Sequence, residues 1–212
     1  MTIFFIGLFK KCILADGIAS FAIRVFNEVE IGNGLSFFEA WGGALAYSLQ
    51  LYFDFSGYSD MAIGLGRMFG IMIPINFFSP YKANNIIDFW RRWHMTLSRF
   101  LRIYLYIPLG GNKYGSIRRY RNITITMILG GLWHGAGWNF LIWGGMHSFY
   151  LVMNYGWKFC LDRIGFQRLR IPSPGPYLSR IFTFTLIVFA WVVFRAETID
   201  GAILFYKAML GL

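Results

Sequence analysis

The stretch ITMILGGLWHGAGWNFLIWGGMH, from Ile125 to His147, decides how this chain folds. It lies within a run between Arg121 and Lys158 that contains no Asp, Glu, Lys or Arg. At about 1.5 Å per residue, a straight helix of that length could exceed the roughly 30 Å hydrocarbon core of a bilayer. The six glycines of the stretch instead predict a broken or hairpin-like path with close helix packing.

The composition of the whole chain is typical of an integral membrane protein. Of the 212 residues, 57% are hydrophobic and 14% are charged, whereas a soluble domain is about 25% charged. The net charge of +10 arises from basic groups beside apolar runs, such as Lys10–Lys11, Arg118–Arg121 and Arg168–Arg170. This pattern indicates loops that face an anionic leaflet. We therefore expect a lipid bilayer and not a nucleic acid as the partner.

The expected fold is all-α: a multi-helix bundle with four to six membrane-embedded segments, in one domain over residues 1–212. An apolar N-terminus followed by basic residues predicts a membrane or interfacial helix, since a signal peptide has the opposite order. The motif RIPSPGPY, residues 170–177, predicts a loop. The other apolar segments predicted to be embedded are Leu35–Phe53, Met61–Ile73, Asn122–Met153 and Ile181–Phe194.

One further segment, Ile86 to Tyr106, predicts a single amphipathic helix. Its apolar residues recur at alternating steps of about four and three, and its arginines gather on the opposite side. Such a helix lies in the membrane interface or lines a polar cavity. The arginines could contact lipid headgroups or bind a phosphorylated ligand such as a coenzyme A. They are Arg91, Arg92, Arg99 and Arg102.

Three histidines and an acidic segment are the candidates for chemistry. An ionisable residue near mid-membrane, as expected for His134, is a functional hypothesis by default, and neighbouring glycines with Trp133 and Trp138 suggest a pocket or tunnel. For His134 the alternative is a neutral histidine that packs and hydrogen-bonds against a neighbouring helix. For His94 the alternative is a contact with lipid headgroups, and it is stronger than for His134. His147 is interpreted as a packing or supporting residue. The two cysteines predict neither a disulfide framework nor a metal site.

The acidic segment YFDFSGYSD contains Asp54, Ser56, Ser59 and Asp60. We expect these residues to cap the start of a helix, because Asp and Ser side chains accept hydrogen bonds from the first backbone N–H groups of helices. The alternative is a polar patch at the mouth of a cavity.

Four motifs together resemble the membrane-bound O-acyltransferase family, and within it the branch that O-acetylates alginate and other cell-surface polysaccharides. The resemblance extends in order along nearly the whole chain. The motifs are QLYFDFSGYSDMAIGLG (Gln50–Gly66), FWRRWHMTLSRFLRIYLYIPLGGN (Phe89–Asn112), YRNITITMILGGLWHGAGWNFLIWGGMH (Tyr120–His147) and WVVFRAE (Trp191–Glu197).

The resemblance implies acyl transfer to a hydroxyl group, with His134 of the Trp-His-Gly motif and His94 as the catalytic pair. It implies no bound cofactor or metal, acetyl-CoA as the acyl donor, a polysaccharide acceptor and a periplasmic or extracellular acetyltransferase partner. It also implies a multi-pass protein of the bacterial cytoplasmic membrane. The secondary candidates for binding substrate or donor are Trp133, Trp93, Arg91, Arg92, Arg102, Asp54, Asp60, Asn139 and His147.

Two departures from the family pattern matter. Ile103 stands where the branch usually has Asp, and the chain resembles only about the C-terminal half of a member. We therefore expect that the N-terminal spans of the family are absent and that Met1 is not the biological start, or that the sequence is a fragment. Two rival functions stay open: a non-catalytic remnant or scaffold of an acetylation complex, and a proton-coupled transporter, although no repeat of broken helices supports the latter.

Overall fold

A computed structural model describes residues 1–164 and 175–212, and over these residues the chain is helical without any strand. The predicted all-α class is therefore confirmed for this part of the chain. The helices in chain order are α1 (Thr2–Phe9), α2 (Asp16–Glu30), α3 (Phe37–Met68), α4 (Ile86–Trp90), α5 (Met95–Leu101), α6 (Ser116–His134), α7 (Trp138–Ile164), α8 (Pro176–Arg195) and α9 (Ile199–Met209).

The chain packs into two compact units. The first comprises Met1–Phe77 and Val188–Leu212, and the second comprises Phe78–Ile187. Helix α8 is thus divided between them. Both predicted catalytic histidines belong to the second unit.

In the first unit, α1 lies against α3 with almost no side chain between their backbones. A Cβ added to Gly57 would stand 2.7 Å from the Gly7 carbonyl oxygen, and one added to Gly64 would stand 2.7 Å from the Phe4 amide nitrogen. Small residues permit this approach. A π-helical turn, Lys10–Ala15, then connects α1 to α2, so the predicted helical N-terminus is confirmed.

The prediction that Asp54 and Asp60 belong to residues capping a helix start is wrong. Helix α3 runs without a break from Phe37 to Met68 and contains both carboxylates in its interior. They are accommodated there by ion pairs: Asp60 Oδ2 lies 2.6 Å from Lys10 Nζ, and Asp54 Oδ1 lies 2.5 Å from Lys11 Nζ. The actual cap is a Ser36–Glu39 capping box at the other end of the predicted span.

The second unit contains the helical hairpin expected from the quoted stretch. Helix α6 ends at His134, residues 135–137 form the bend, and α7 begins at Trp138. A Cβ on Gly144 of α7 would lie 2.5 Å from the Met127 carbonyl oxygen of α6. A Cβ on Gly131 would likewise overlap the carbonyl oxygen of Phe140. The glycines therefore provide both the bend and the close packing that were predicted.

The prediction of one amphipathic helix from Ile86 to Tyr106 is wrong. The segment divides into α4, a turn, α5 and a π-helical turn, Arg102–Tyr106. The interruption has two physical causes. The Phe78 N–H donates a 2.9 Å hydrogen bond to the Arg92 carbonyl, and His94 has a left-handed backbone with φ 42° and ψ 56°, which a right-handed helix cannot include. The aromatic and basic residues separate only in the first part of the segment, where Trp93 is buried and Arg91 is exposed. Phe100 and Tyr104, which belong to the predicted apolar face, are exposed.

One helix of the described residues, α8, is long and apolar enough to cross a membrane. It contains the predicted span Ile181–Phe194. The number of membrane-embedded segments, four to six, stays a prediction. The basic cluster Arg168–Arg170 and most of the predicted loop over 170–177 lie outside the described residues. The last two residues of that loop, Pro176 and Tyr177, belong to α8.

The close contact of α6 and α7 predicts different effects for two adjacent glycines. We expect Gly144→Ala to destabilise the protein by about 1–3 kcal/mol, since the added methyl meets backbone atoms that cannot rotate away. Gly145 has nothing within 4 Å of the position of a Cβ, so Gly145→Ala should be neutral or stabilise the helix by up to about 1 kcal/mol. Thermal unfolding of both variants in detergent measures the difference, and equal melting temperatures would contradict the packing described.

Candidate active site

His134 is the last residue of α6, at the bend of the hairpin. Its imidazole is partly exposed and is surrounded by rings: the centroid of Trp133 lies 5.0 Å away, that of Trp143 5.2 Å away and that of Phe140 6.5 Å away. The Trp143 ring meets the imidazole nearly at a right angle, at 85°. The side chain therefore combines an aromatic wall with partial exposure.

Trp133 and Trp138 were both expected to wall a cavity. Trp133 contacts His134 and is 62% exposed, while Trp138 is 70% exposed. The buried wall is formed instead by Trp143 of α7, which is 2% exposed. The sequence did contain a signal for this residue, because Asn139, Trp143 and His147 recur every four positions and so share one face of a helix. All three are buried in the structure.

His94 lies in the turn between α4 and α5, close enough to His134 for the two imidazoles to interact electrostatically. The fold thus places two histidines that are far apart in the sequence within electrostatic range of each other. Left-handed backbone is uncommon outside glycine, but Asn, Asp and His adopt it more readily than other residues. Strained backbone of this kind is concentrated at functional sites. The geometry gives His94 a placement suited to a site residue.

His147 is completely buried on α7. Its Nδ1 accepts a hydrogen bond of 3.3 Å from the indole Nε1–H of Trp90. Its ring also lies 4.7 Å from that of Trp143, 5.1 Å from that of Trp90 and 6.2 Å from that of Phe89. His147 is therefore a component of the wall behind His134, without an open edge of its own.

The remaining predicted binding residues occupy three different environments. Trp93 is buried and stacks on Phe89 and Tyr81, at centroid distances of 5.6 Å and 6.0 Å. Arg92 Nε lies 2.8 Å from Asp88 Oδ1. In the first unit Asp54 and Asp60 pair with lysines. A binding role for any of them stays a prediction.

Two of the predicted arginines are exposed, and so is position 103, where the sequence departs from the family pattern. Arg91 is exposed in the turn after α4, and Arg102 is exposed at the start of the second π-helical turn. Ile103, which stands where the resembled branch usually has Asp, is 46% exposed in the same turn. An acidic side chain at this position would therefore not be buried among the described residues. In the described part of the chain, no three His, Cys, Asp or Glu side chains cluster closely enough to hold a metal ion.

The arrangement suits proton transfer to or from a bound hydroxyl. Histidine has an ordinary pKa near 6.5, close to the pH at which a general base is most effective. A second imidazole beside the first can orient a substrate or pass the proton on. The aromatic wall excludes water from one side, which strengthens electrostatic interactions at the site. These properties define a candidate acid–base site at the end of a helical hairpin.

The family model of the membrane-bound O-acyltransferases matches residues 1–194. The chain therefore belongs to the membrane-bound O-acyltransferase family, as its motifs predicted.

Its relatives include enzymes named for the modification of cell-surface polymers. The peptidoglycan O-acetyltransferase of Helicobacter pylori is 50% identical over 210 residues, which are 99% of this chain and 38% of the relative. The probable alginate O-acetylase of Azotobacter vinelandii is 47% identical over 99% of this chain and 40% of the relative. The teichoic acid D-alanyltransferase of Streptococcus thermophilus is 32% identical over 72% of this chain and 39% of the relative. The chain thus spans about two fifths of the length of these relatives.

The backbone of His94 yields a prediction about which residues can replace it. We expect His94→Asn to accumulate and unfold like the parent, since Asn adopts the left-handed conformation readily. His94→Val should lower the stability by about 1–2 kcal/mol or more, because a β-branched side chain is a genuine outlier at positive φ.

Thermal unfolding of the two variants tests this expectation. Leu97→Val, a β-branched substitution within α5, serves as the matched control because Leu97 does not have a positive φ. Equal melting temperatures for His94→Asn and His94→Val would contradict the backbone conformation.

Proposed function

We propose that this chain is part of a membrane O-acyltransferase that transfers an acetyl group from a thioester donor to hydroxyls of an extracytoplasmic polysaccharide. The observation that carries the proposal is the placement of His134 at the bend of the α6–α7 hairpin, with His94 within electrostatic range of it. Family membership and the names of the two O-acetylating relatives support an acetyl group over other acyl groups, since the D-alanyltransferase relative is less similar.

In the proposed reaction His134 is the general base. Its imidazole takes the proton from the acceptor hydroxyl while the hydroxyl oxygen attacks the carbonyl carbon of the thioester. A carbon–oxygen bond forms, the carbon–sulfur bond breaks, and the proton passes to the departing thiolate. His94 positions the acceptor or relays the proton. A base in this position contributes about 10²–10⁴-fold to the rate of such reactions.

We further propose acetyl-CoA as the donor, an alginate-like polysaccharide as one acceptor class, and a multi-pass location in a bacterial cytoplasmic membrane. Exposed arginines such as Arg91 and Arg102 are suited to the phosphates of a coenzyme A, because guanidinium groups match phosphate oxygens in geometry and charge. The apolar length of α8 supports the membrane location. A periplasmic or extracellular acetyltransferase partner could receive the acetyl group before the polysaccharide does.

The test is His134→Ala in the full-length parent protein, with acetylation of surface polysaccharide measured in cells at matched protein levels. We expect acetylation to fall by about 100-fold or more, which corresponds to the loss of a general base. Cys160→Ser provides the control, since Cys160 is an exposed residue of α7 and its replacement should leave acetylation at the parental level. Parental acetylation in His134→Ala would refute the assignment.

The non-catalytic alternative has one observation in its favour, the Ile103 departure. Under the proposed acyltransferase function we expect Ile103→Asp to change acetylation by less than about threefold, because the side chain at this position is nearly half exposed and surface substitutions usually have small effects. Acetylation is measured in the full-length parent as above. Little activity in the parent, together with a large rise in Ile103→Asp, would favour an inactive remnant.

A further inference from the structure

We infer that His147 is a positioning residue for the histidine pair, acting through Trp90 and Trp143. This inference rests on the function proposed above for His134 and His94. It assigns no contact with substrate to His147, whose side chain is completely buried. Its role is to hold the element that precedes His94 against the helix that forms the wall behind His134.

Three rings form the physical link, and we call them the Trp90–Trp143–His147 cluster. Each ring contacts the other two: the centroid distances are 5.9 Å for Trp90–Trp143, 5.1 Å for Trp90–His147 and 4.7 Å for Trp143–His147. Trp143 extends the cluster to His134 at 5.2 Å. Trp90 is the last residue of α4 and is followed closely by His94. The cluster therefore touches both sides of the site.

The hydrogen bond within the cluster specifies the chemistry of His147. An indole N–H can only donate, so the Nδ1 atom that accepts from Trp90 must be unprotonated. A neutral His147 therefore has its proton on Nε2. Loss of this bond would leave the indole N–H in an aromatic environment, where an unsatisfied donor costs about 1–3 kcal/mol. A side chain at position 147 that presents an acceptor in place of Nδ1 should therefore keep α4 in place.

The site needs such a tether because His94 has a left-handed backbone. A strained conformation persists only when its surroundings determine it from several directions. A displacement of about 1 Å at a reacting group can reduce the rate about 100-fold. The bond from Trp90 to His147 links α4 directly to α7. A small shift of α4 would displace His94 relative to His134 without unfolding either unit.

The experiment compares four single variants and the double variant Trp90→Phe/His147→Leu in the full-length parent protein, with surface-polysaccharide acetylation measured at matched protein levels. Trp90→Phe removes the donor and keeps an aromatic ring. His147→Leu removes the acceptor at similar volume, whereas His147→Asn retains an amide oxygen near the position of Nδ1. Trp157→Phe is the control, because Trp157 is an exposed tryptophan of α7.

We expect Trp90→Phe and His147→Leu each to lower acetylation at least about tenfold. The double variant should retain as much acetylation as the less active of the two single variants, because the two residues act through one shared contact. His147→Asn should retain at least half of the parental acetylation, and Trp157→Phe should match the parent. Retained acetylation in His147→Asn would show that position 147 needs only a hydrogen-bond acceptor for Trp90 and not the acid–base chemistry of an imidazole. The inference is overturned if Trp90→Phe is parental, or if His147→Asn is as inactive as His147→Leu.

The His134→Ala variant keeps this result distinct from the proposed function. If His134→Ala retains parental acetylation, the proposed function fails whatever the other variants show. If His134→Ala is inactive while Trp90→Phe and His147→Leu are parental, only the role of His147 fails. Should the His147 variants not accumulate, Trp90→Phe alone decides, because it preserves an aromatic ring at the same position.

Discussion

The second unit depends on the contact between the backbones of α6 and α7. At Gly144 the two chains approach so closely that even a methyl group would meet the Met127 carbonyl, and Gly131 meets Phe140 in the same way. The contact sets the distance between the helices, and this distance brings Trp143 onto His134. The wall, the partly exposed imidazole and the buried His147 all follow from a helix pair that contains glycine where it crosses.

The hairpin was predictable because glycine acts locally, whereas the two incorrect predictions concerned long-range contacts. The periodicity of Ile86–Tyr106 predicts one buried side, which holds for Phe89 and Trp93 before the turn at His94 but not for Phe100 and Tyr104 after it. It does not reveal that the Arg92 carbonyl bonds to the distant Phe78 N–H. In the same way, Asp60 was interpreted as a helix cap because the sequence shows no ion-pair partner near it. Its partner, Lys10, lies far away in the sequence.

The members of the site were predicted from the sequence, whereas its geometry was not. The resemblance selected His134 and His94, but nothing in the sequence gives the distance between residues on different elements. Trp90 and Trp143 were missed because aromatic residues at helical spacing most often belong to a core. They do belong to a core, and their position between the histidines gives them importance for the site. The assignment of His147 as a packing or supporting residue agrees with its burial.

The π-helical turn between α1 and α2 has a consequence for how this family can change in length. Consecutive residues of a regular helix point about 100° apart, yet Lys10 and Lys11 both reach carboxylates of α3. A π turn holds one residue more than a regular turn. Deletion of one residue there would return the turn to regular geometry, and α2 would keep its orientation with Val25 against Gly43. The turn is therefore a place where the chain can lose one residue without a rotation of α2.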